Sequence, residues 1–85
     1  MKEFEKICEE MIALQSKKND DYGGSFSSNV AKYGLVATLI PLSNKLNRLE
    51  SLVLSKSNPN MESLRDSYID LACYAVMSII ELDNE

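Results

Sequence analysis

A carboxylate lies inside the most apolar stretch of this chain, which runs from Tyr68 to Ile80. Asp70 and Ser78 are its only strongly polar side chains, and at about 100° per residue the apolar ones cover nearly the whole circumference of a helix. A helix that is apolar all round is usually buried. Because an unpaired buried carboxylate is strongly destabilising, Asp70 must be protonated, paired with a cation or bound to a metal.

Two further acids precede Asp70 at helical spacing. Glu62 and Asp66 lie eight and four residues before it, so the three carboxylates form one stripe about 80° wide on a helix. Three oxygen ligands without His or paired Cys favour Mg²⁺ or Mn²⁺ over zinc or copper. An internal salt-bridge network, with Lys45 or Arg48 holding Asp66 or Asp70, explains the same pattern without any ligand.

Composition limits the classes of function. The chain has 85 residues, which predicts one domain over residues 1–85, and a net charge of −4 with no long basic run, which disfavours duplex nucleic acid as a partner. It has no His, hence neither the usual zinc ligand nor the usual general base. No apolar run is long enough to cross a membrane, and the charged N-terminus is unlike a signal peptide. We therefore expect a cytoplasmic protein with two reduced cysteines, Cys8 and Cys73.

Hydrophobic periodicity predicts an all-α chain of three to four helices. The first covers residues 2 to about 18, where apolar side chains recur every three or four residues. The second region has a weak point at Gly34, but we expect it to divide near Pro41, into a short helix over 29–39 and a longer one from 41 to about 55, because proline interrupts helical hydrogen bonding. A turn at 56–60, with Asn58 as N-cap, precedes a third helix that ends near residue 82.

The segment from Lys17 to Asn29 is rich in turn-forming residues and predicts a loop. It suits a plain connection, with Ser27, Ser28 or Asn29 capping the next helix. It also suits a binding loop, in which Tyr22 stacks on a base and Lys17 or Lys18 meets a phosphate.

Helices of this length leave much apolar surface uncovered, above all on the last one. Soluble monomers rarely expose such patches, so we expect homo-oligomerisation into a helical bundle.

Four segments in a fixed order carry a family resemblance: KNDDYGGSF (18–26), Gly34-Leu35, LSNKLNRL (42–49) and ESLRDSYIDLACYAVM (62–77). Over about residues 17 to 80 the chain resembles the nucleotide modification associated domain type one family. That family is common in phages and is similar to the MazG-like all-α nucleoside triphosphate pyrophosphohydrolases. These enzymes use Mg²⁺ to split the α–β phosphate bond of a nucleotide, in an oligomeric helical bundle. For a phage-encoded protein, the location would be the cytoplasm of the bacterial host.

The resemblance implies roles for particular side chains. The metal ligands would be Glu62, Asp66 and Asp70, and of these Asp66 and Asp70 would be catalytic. The residues that bind or border the nucleotide would be Lys18, Asp21, Tyr22, Lys45 and Arg48.

One departure from the MazG-like pattern favours another function. That pattern has a further E-x-x-E pair on the preceding helix, where this chain offers only Glu50. A weakened metal site favours a non-catalytic sponge that sequesters a nucleotide-derived immune signal, as a phage counter-defence protein would. The third interpretation is a structural helical oligomer with the acids in salt bridges.

Overall fold

The chain forms four helices in a computed structural model that describes residues 1–22, 24–55 and 60–85, apart from the side chains of 19–22. The helices are α1 (Lys2–Tyr22), α2 (Ser25–Tyr33), α3 (Val36–Val53) and α4 (Met61–Asp83). No strand occurs in the described ranges, so the predicted all-α class is confirmed. None of the described helices is long and apolar enough to span a bilayer.

The connection between α1 and α2 is much shorter than predicted. The helix α1 continues to Tyr22 and α2 begins at Ser25, so the loop expected over 17–29 is wrong. The N-cap of α2 is Gly24, at φ 77°, and not Ser27, Ser28 or Asn29. Glycine takes this left-handed conformation without steric cost.

The break in the second helical region falls at Gly34 and not near Pro41, which is a second correction. Gly34 has φ 83°, and its N–H donates to the Val30 carbonyl at 2.8 Å, ending α2. Pro41 lies inside α3. Because it lacks an N–H, it removes one helical hydrogen bond, to the Ala37 carbonyl, while the helix continues on both sides.

The start of α4 is fixed by an asparagine cap. The side chain of Asn60 accepts a hydrogen bond from the Ser63 backbone N–H at 3.1 Å. The cap expected at Asn58, and the predicted turn before Asn60, lie outside the described residues. Glu62 follows in the first turn, where its charge complements the helix dipole.

The core lies where α3 packs along α4 and α2 packs against α3. Its buried apolar side chains are those of Val30, Ala37, Leu49, Ile69 and Cys73. The helix α1 packs against α4, and a two-pronged ion pair joins the two helices near its middle. In this pair the Arg65 guanidinium donates to both Glu10 oxygens, at 2.9 and 2.7 Å.

Much apolar surface remains uncovered in the single chain. In the C-terminal half of α4, Val76, Ile79 and Ile80 are exposed, so the all-round burial expected for this helix does not occur within one chain. The radius of gyration is 14.2 Å, whereas a compact domain of this length has about 12 Å. The exposed apolar surface is present as predicted, and homo-oligomerisation stays a prediction.

Candidate functional site

A cleft of about 400 Å³ opens where all four helices meet. Charged, polar and aromatic groups share its wall. The lining residues are Gln15 and Lys18 from α1, Gly24, Ser25 and Phe26 at the start of α2, Lys45 from α3, and Asp70, Cys73, Tyr74 and Met77 from α4.

Asp70 is held between two lysines from different helices. Lys18 Nζ lies 2.7 Å from Asp70 Oδ1, and Lys45 Nζ lies 3.1 Å from Asp70 Oδ2, so each carboxylate oxygen has one ammonium partner. The Asp70 side chain is 21% exposed. Of the three states open to this carboxylate, the structure shows pairing with cations; Lys45 is one of the predicted partners, whereas Lys18 is not.

The pKa values of Asp70 and Lys18 are both shifted in favour of the charged forms. Burial alone would raise the pKa of Asp70, but the hydrogen bonds from Lys18 and Lys45 outweigh it and leave that pKa below its ordinary value. Burial alone would lower the pKa of Lys18, but the hydrogen bond to Asp70 outweighs it and leaves that pKa raised. Two ammonium groups facing one carboxylate leave a local charge of about +1, which favours an anion.

The N-terminus of α2 adds to this positive potential. Gly24 and Ser25 line the cleft, and Gly24 provides no side-chain cap to the helix. The first backbone N–H groups of a helix have no intrahelical acceptor, and they carry the positive end of its dipole. The cleft therefore combines two lysines with a helix end of the kind that binds phosphate groups elsewhere.

An aromatic pair forms the other side of the cleft. The rings of Phe26 and Tyr74 lie 5.9 Å apart between centroids, at an interplanar angle of 44°. Cys73, beside Tyr74, is buried, and this burial raises the pKa of its thiol. The thiol is therefore a neutral part of the wall at physiological pH, and both it and Cys8 are free cysteines, as expected.

Arg48, predicted to bind phosphate beside Lys45, contacts a different partner. Its Nε donates to the Ser67 hydroxyl at 3.2 Å, and that hydroxyl donates to the Ser63 carbonyl at 2.9 Å. Arg48 does not line the cleft. Since α3 and α4 run antiparallel, a step of three residues along α3 moves the contact three residues back along α4, from Asp70 to Ser67.

The three acids predicted as metal ligands are not brought together. Glu62 and Asp66 are exposed and do not line the cleft. The helix α4 contributes positions 70, 73, 74 and 77, a face that runs from Asp70 away from the two earlier acids. No group of three His, Cys, Asp or Glu side chains suited to a metal occurs among the described residues. The side chains of Asp21 and Tyr22, predicted to border the site, lie outside this description.

A family model, nucleotide modification associated domain 1, matches residues 18–82, which is most of the chain. The chain belongs to this family. No curated protein and no solved structure matches it. In this nucleotide modification associated domain 1 protein, every residue that lines the cleft except Gln15 lies within the matched segment.

The sequence did not predict most of the uncharged residues that line the cleft of this protein. The sequence places Phe26 in a predicted loop and Tyr74 in an apolar helix; both lie in the segments that carry the family resemblance, but neither is predicted to line the site. One signal was available, because Tyr74 follows Asp70 by four residues and so shares its helix face. No sequence pattern indicates Ser25, because its position in the cleft depends on where α2 begins.

Proposed function

We propose that this protein binds a nucleotide through its phosphate groups in the cleft between the four helices. One observation carries the proposal: Lys18 and Lys45, from helices distant in sequence, converge on Asp70 at the wall of an open cleft. The lysine side chains are 31% and 30% exposed, so a ligand can reach them. The family description, which names nucleotide modification, directs the choice among anions towards nucleotides.

Binding would proceed by exchange of charged partners. Without ligand, the Asp70 carboxylate supplies the two negatively charged oxygens that the lysines need. A di- or triphosphate group offers more negative charge and more acceptor oxygens, so the ammonium groups would transfer to it. The free N–H groups at the start of α2 would bind further phosphate oxygens.

Mg²⁺-dependent hydrolysis of the nucleotide is the second candidate function. It is favoured by Asp70, whose oxygens would be released from the lysines by the same exchange. Mg²⁺ typically uses only one or two protein carboxylates together with water and substrate phosphates, so Asp70 in the wall of the cleft fits as a partial ligand set. A bound ion would supply charge stabilisation at the reacting phosphate. The chain's own contribution would be to orient the phosphates through Lys18 and Lys45.

Binding without turnover is the version that the described side chains favour more strongly, because Asp70 is the only carboxylate in the described wall of the cleft. Such a protein lowers the free concentration of its ligand. Sequestration of a nucleotide-derived signal, as in phage counter-defence, is a role of this kind.

Calorimetric titration of the protein with ATP, GTP, CTP, UTP and inorganic tripolyphosphate, in EDTA and then in Mg²⁺, tests the proposal. We expect binding in EDTA, and we expect Lys18→Ala and Lys45→Ala each to weaken it about 10- to 100-fold, since a hydrogen bond to a charged group contributes about 1.5–3 kcal/mol. Lys17→Ala is the matched control, because Lys17 is exposed and does not line the cleft.

Chromatography of the same mixtures separates the two candidates. Monophosphate and pyrophosphate appearing only with Mg²⁺ would identify the hydrolase, and unchanged nucleotide would identify the binding protein. If no nucleotide and no tripolyphosphate binds under either condition, the proposal is wrong and the ion pairs are structural.

A further inference from the structure

A second groove, of about 320 Å³, continues from the cleft along the junction of α2 and α3. Ser25, Phe26 and Tyr74 line both spaces, so the two are adjacent parts of one surface. The volume is at the lower end of the range for small-molecule pockets, which suits part of a ligand better than a whole one.

The lining of this groove differs chemically from that of the cleft. Among the side chains that the structure describes, none that lines this groove is charged, whereas the cleft has two lysines and an aspartate. Tyr33 presents an aromatic ring that is 63% exposed, and Ile40 and Pro41 form an apolar wall. Lys32 Nζ lies over the Tyr33 ring, 5.7 Å from its centroid.

Hydrogen-bonding groups occur at defined positions around this apolar surface. The side chains of Asn29 and Asn44 line the groove from α2 and α3, and each amide offers both donors and an acceptor. Ala37 and Pro41 also line it. Because Pro41 has no N–H, it cannot donate to the Ala37 carbonyl, and it presents only its apolar ring at this wall.

The geometry points to this groove as a nucleobase subsite for the nucleotide whose phosphates occupy the cleft, an inference that rests on the proposed function. A base is flat, aromatic and edged with donors and acceptors, which matches a stacking ring, an apolar wall and two amides. An acyl chain would leave both amides without partners, and a peptide backbone would leave the tyrosine ring without a stacking plane.

The subsite makes Tyr33 and Asn44 contribute in different ways. Stacking on Tyr33 depends little on which base is present, because every base has an aromatic face. Hydrogen bonds from Asn44 depend on the donors and acceptors at the edge of the base. Tyr33 should therefore set the affinity for all nucleotides, while Asn44 should set the order of preference among them.

The test compares nucleotides with inorganic tripolyphosphate, which has the phosphates but no base, by calorimetric titration in EDTA. We expect Tyr33→Ala to weaken binding of ATP, GTP, CTP and UTP by about 5- to 100-fold and to leave tripolyphosphate unchanged. Tyr33→Phe, which keeps the ring, should retain nucleotide affinity. Asn44→Ala should change the ranking of the four nucleotides. Phe4→Ala is the matched control, since Phe4 is an aromatic residue of α1 with the same 63% exposure.

Three results would overturn the subsite. If tripolyphosphate binds as tightly as every nucleotide and Tyr33→Ala changes neither, the phosphate site stands and the base subsite does not exist. If Tyr33→Ala weakens tripolyphosphate and nucleotides equally, Tyr33 supports the fold of the cleft instead of contacting a base. If neither kind of ligand binds the unaltered protein, the proposed function fails together with the subsite.

Discussion

Replacing Asp70 by asparagine should make the protein less stable and, at the same time, a better phosphate binder. The amide would keep the size of the side chain but lose the charge that holds Lys18 and Lys45 at 2.7 and 3.1 Å. Exposed ion pairs contribute up to about 1 kcal/mol, and breaking a buried pair costs about 3–5 kcal/mol. For this half-buried pair of contacts we expect a loss of about 1–2 kcal/mol in the free energy of unfolding, which is a fall of about 5–15 °C in Tm for a domain of this size.

The gain in affinity follows from the same contacts. In the unaltered protein, phosphate must displace the carboxylate from both ammonium groups. If each contact contributes about 1 kcal/mol, their removal is worth about 2 kcal/mol, or roughly thirty-fold in the dissociation constant for tripolyphosphate.

Thermal unfolding followed by circular dichroism, and calorimetric titration with tripolyphosphate in EDTA, measure the two effects separately. Asp66→Asn is the matched control, because Asp66 lies one turn away on the same helix but is exposed and outside the cleft. A fall in tripolyphosphate affinity in EDTA would refute the competition between carboxylate and phosphate. An unchanged Tm would refute a stabilising role for the ion pairs.

Two further predictions concern pH and assembly. The pKa of Asp70 is lowered from 3.8, so its stabilisation is complete above that pH and is lost as the pH falls through the lower folded value. The pKa of Lys18 is raised from 10.5, so its stabilisation is present below that pH and is lost as the pH rises through the higher folded value. Urea titrations across pH should show both losses in the unaltered protein, and neither should appear in Asp70→Asn. Light scattering after size-exclusion chromatography should give a multimer for the unaltered protein and a monomer for Ile79→Glu, since Ile79 is exposed on the apolar end of α4. Asn84→Glu is the control, which should remain a multimer. A monomeric unaltered protein would contradict the prediction.

The fold class and the extent of the last helix followed from hydrophobic periodicity, because α4 is a long, uninterrupted apolar pattern with a clear end. The breaks were harder to predict, because they depend on which local constraint dominates. Pro41 looked like the stronger interruption, yet it removes one hydrogen bond from a helix that packs along α4. Gly34 ends α2 because it adopts a positive φ, unlike its neighbours in that region. A glycine in the sequence makes such a conformation possible, but it does not require it.

The site was predictable at its centre but not at its edges. Desolvation alone requires a buried Asp70 to be protonated, paired with a cation or bound to a metal, and Lys45 is a candidate partner because it lies on the neighbouring helix. The pairing with Lys18 depends on how α1 crosses α4, and no periodicity in either segment contains that information. Arg48 lies three residues after Lys45, and Asp66 lies four residues before Asp70, so helical spacing alone makes both candidates. The cleft, however, extends from Asp70 towards the C-terminal end of α4, away from Asp66.

The contact between Lys18 and Asp70 also ties the C-terminal part of α1 to α4, as Arg65 and Glu10 tie its earlier turns. The Lys18 ammonium group, which would bind a phosphate, therefore also holds α1 against α4. If a phosphate takes the Lys18 ammonium group from Asp70, the contact between α4 and the C-terminal end of α1 changes. Amide hydrogen exchange in the last turns of α1, followed with and without tripolyphosphate, would measure this change in anchoring.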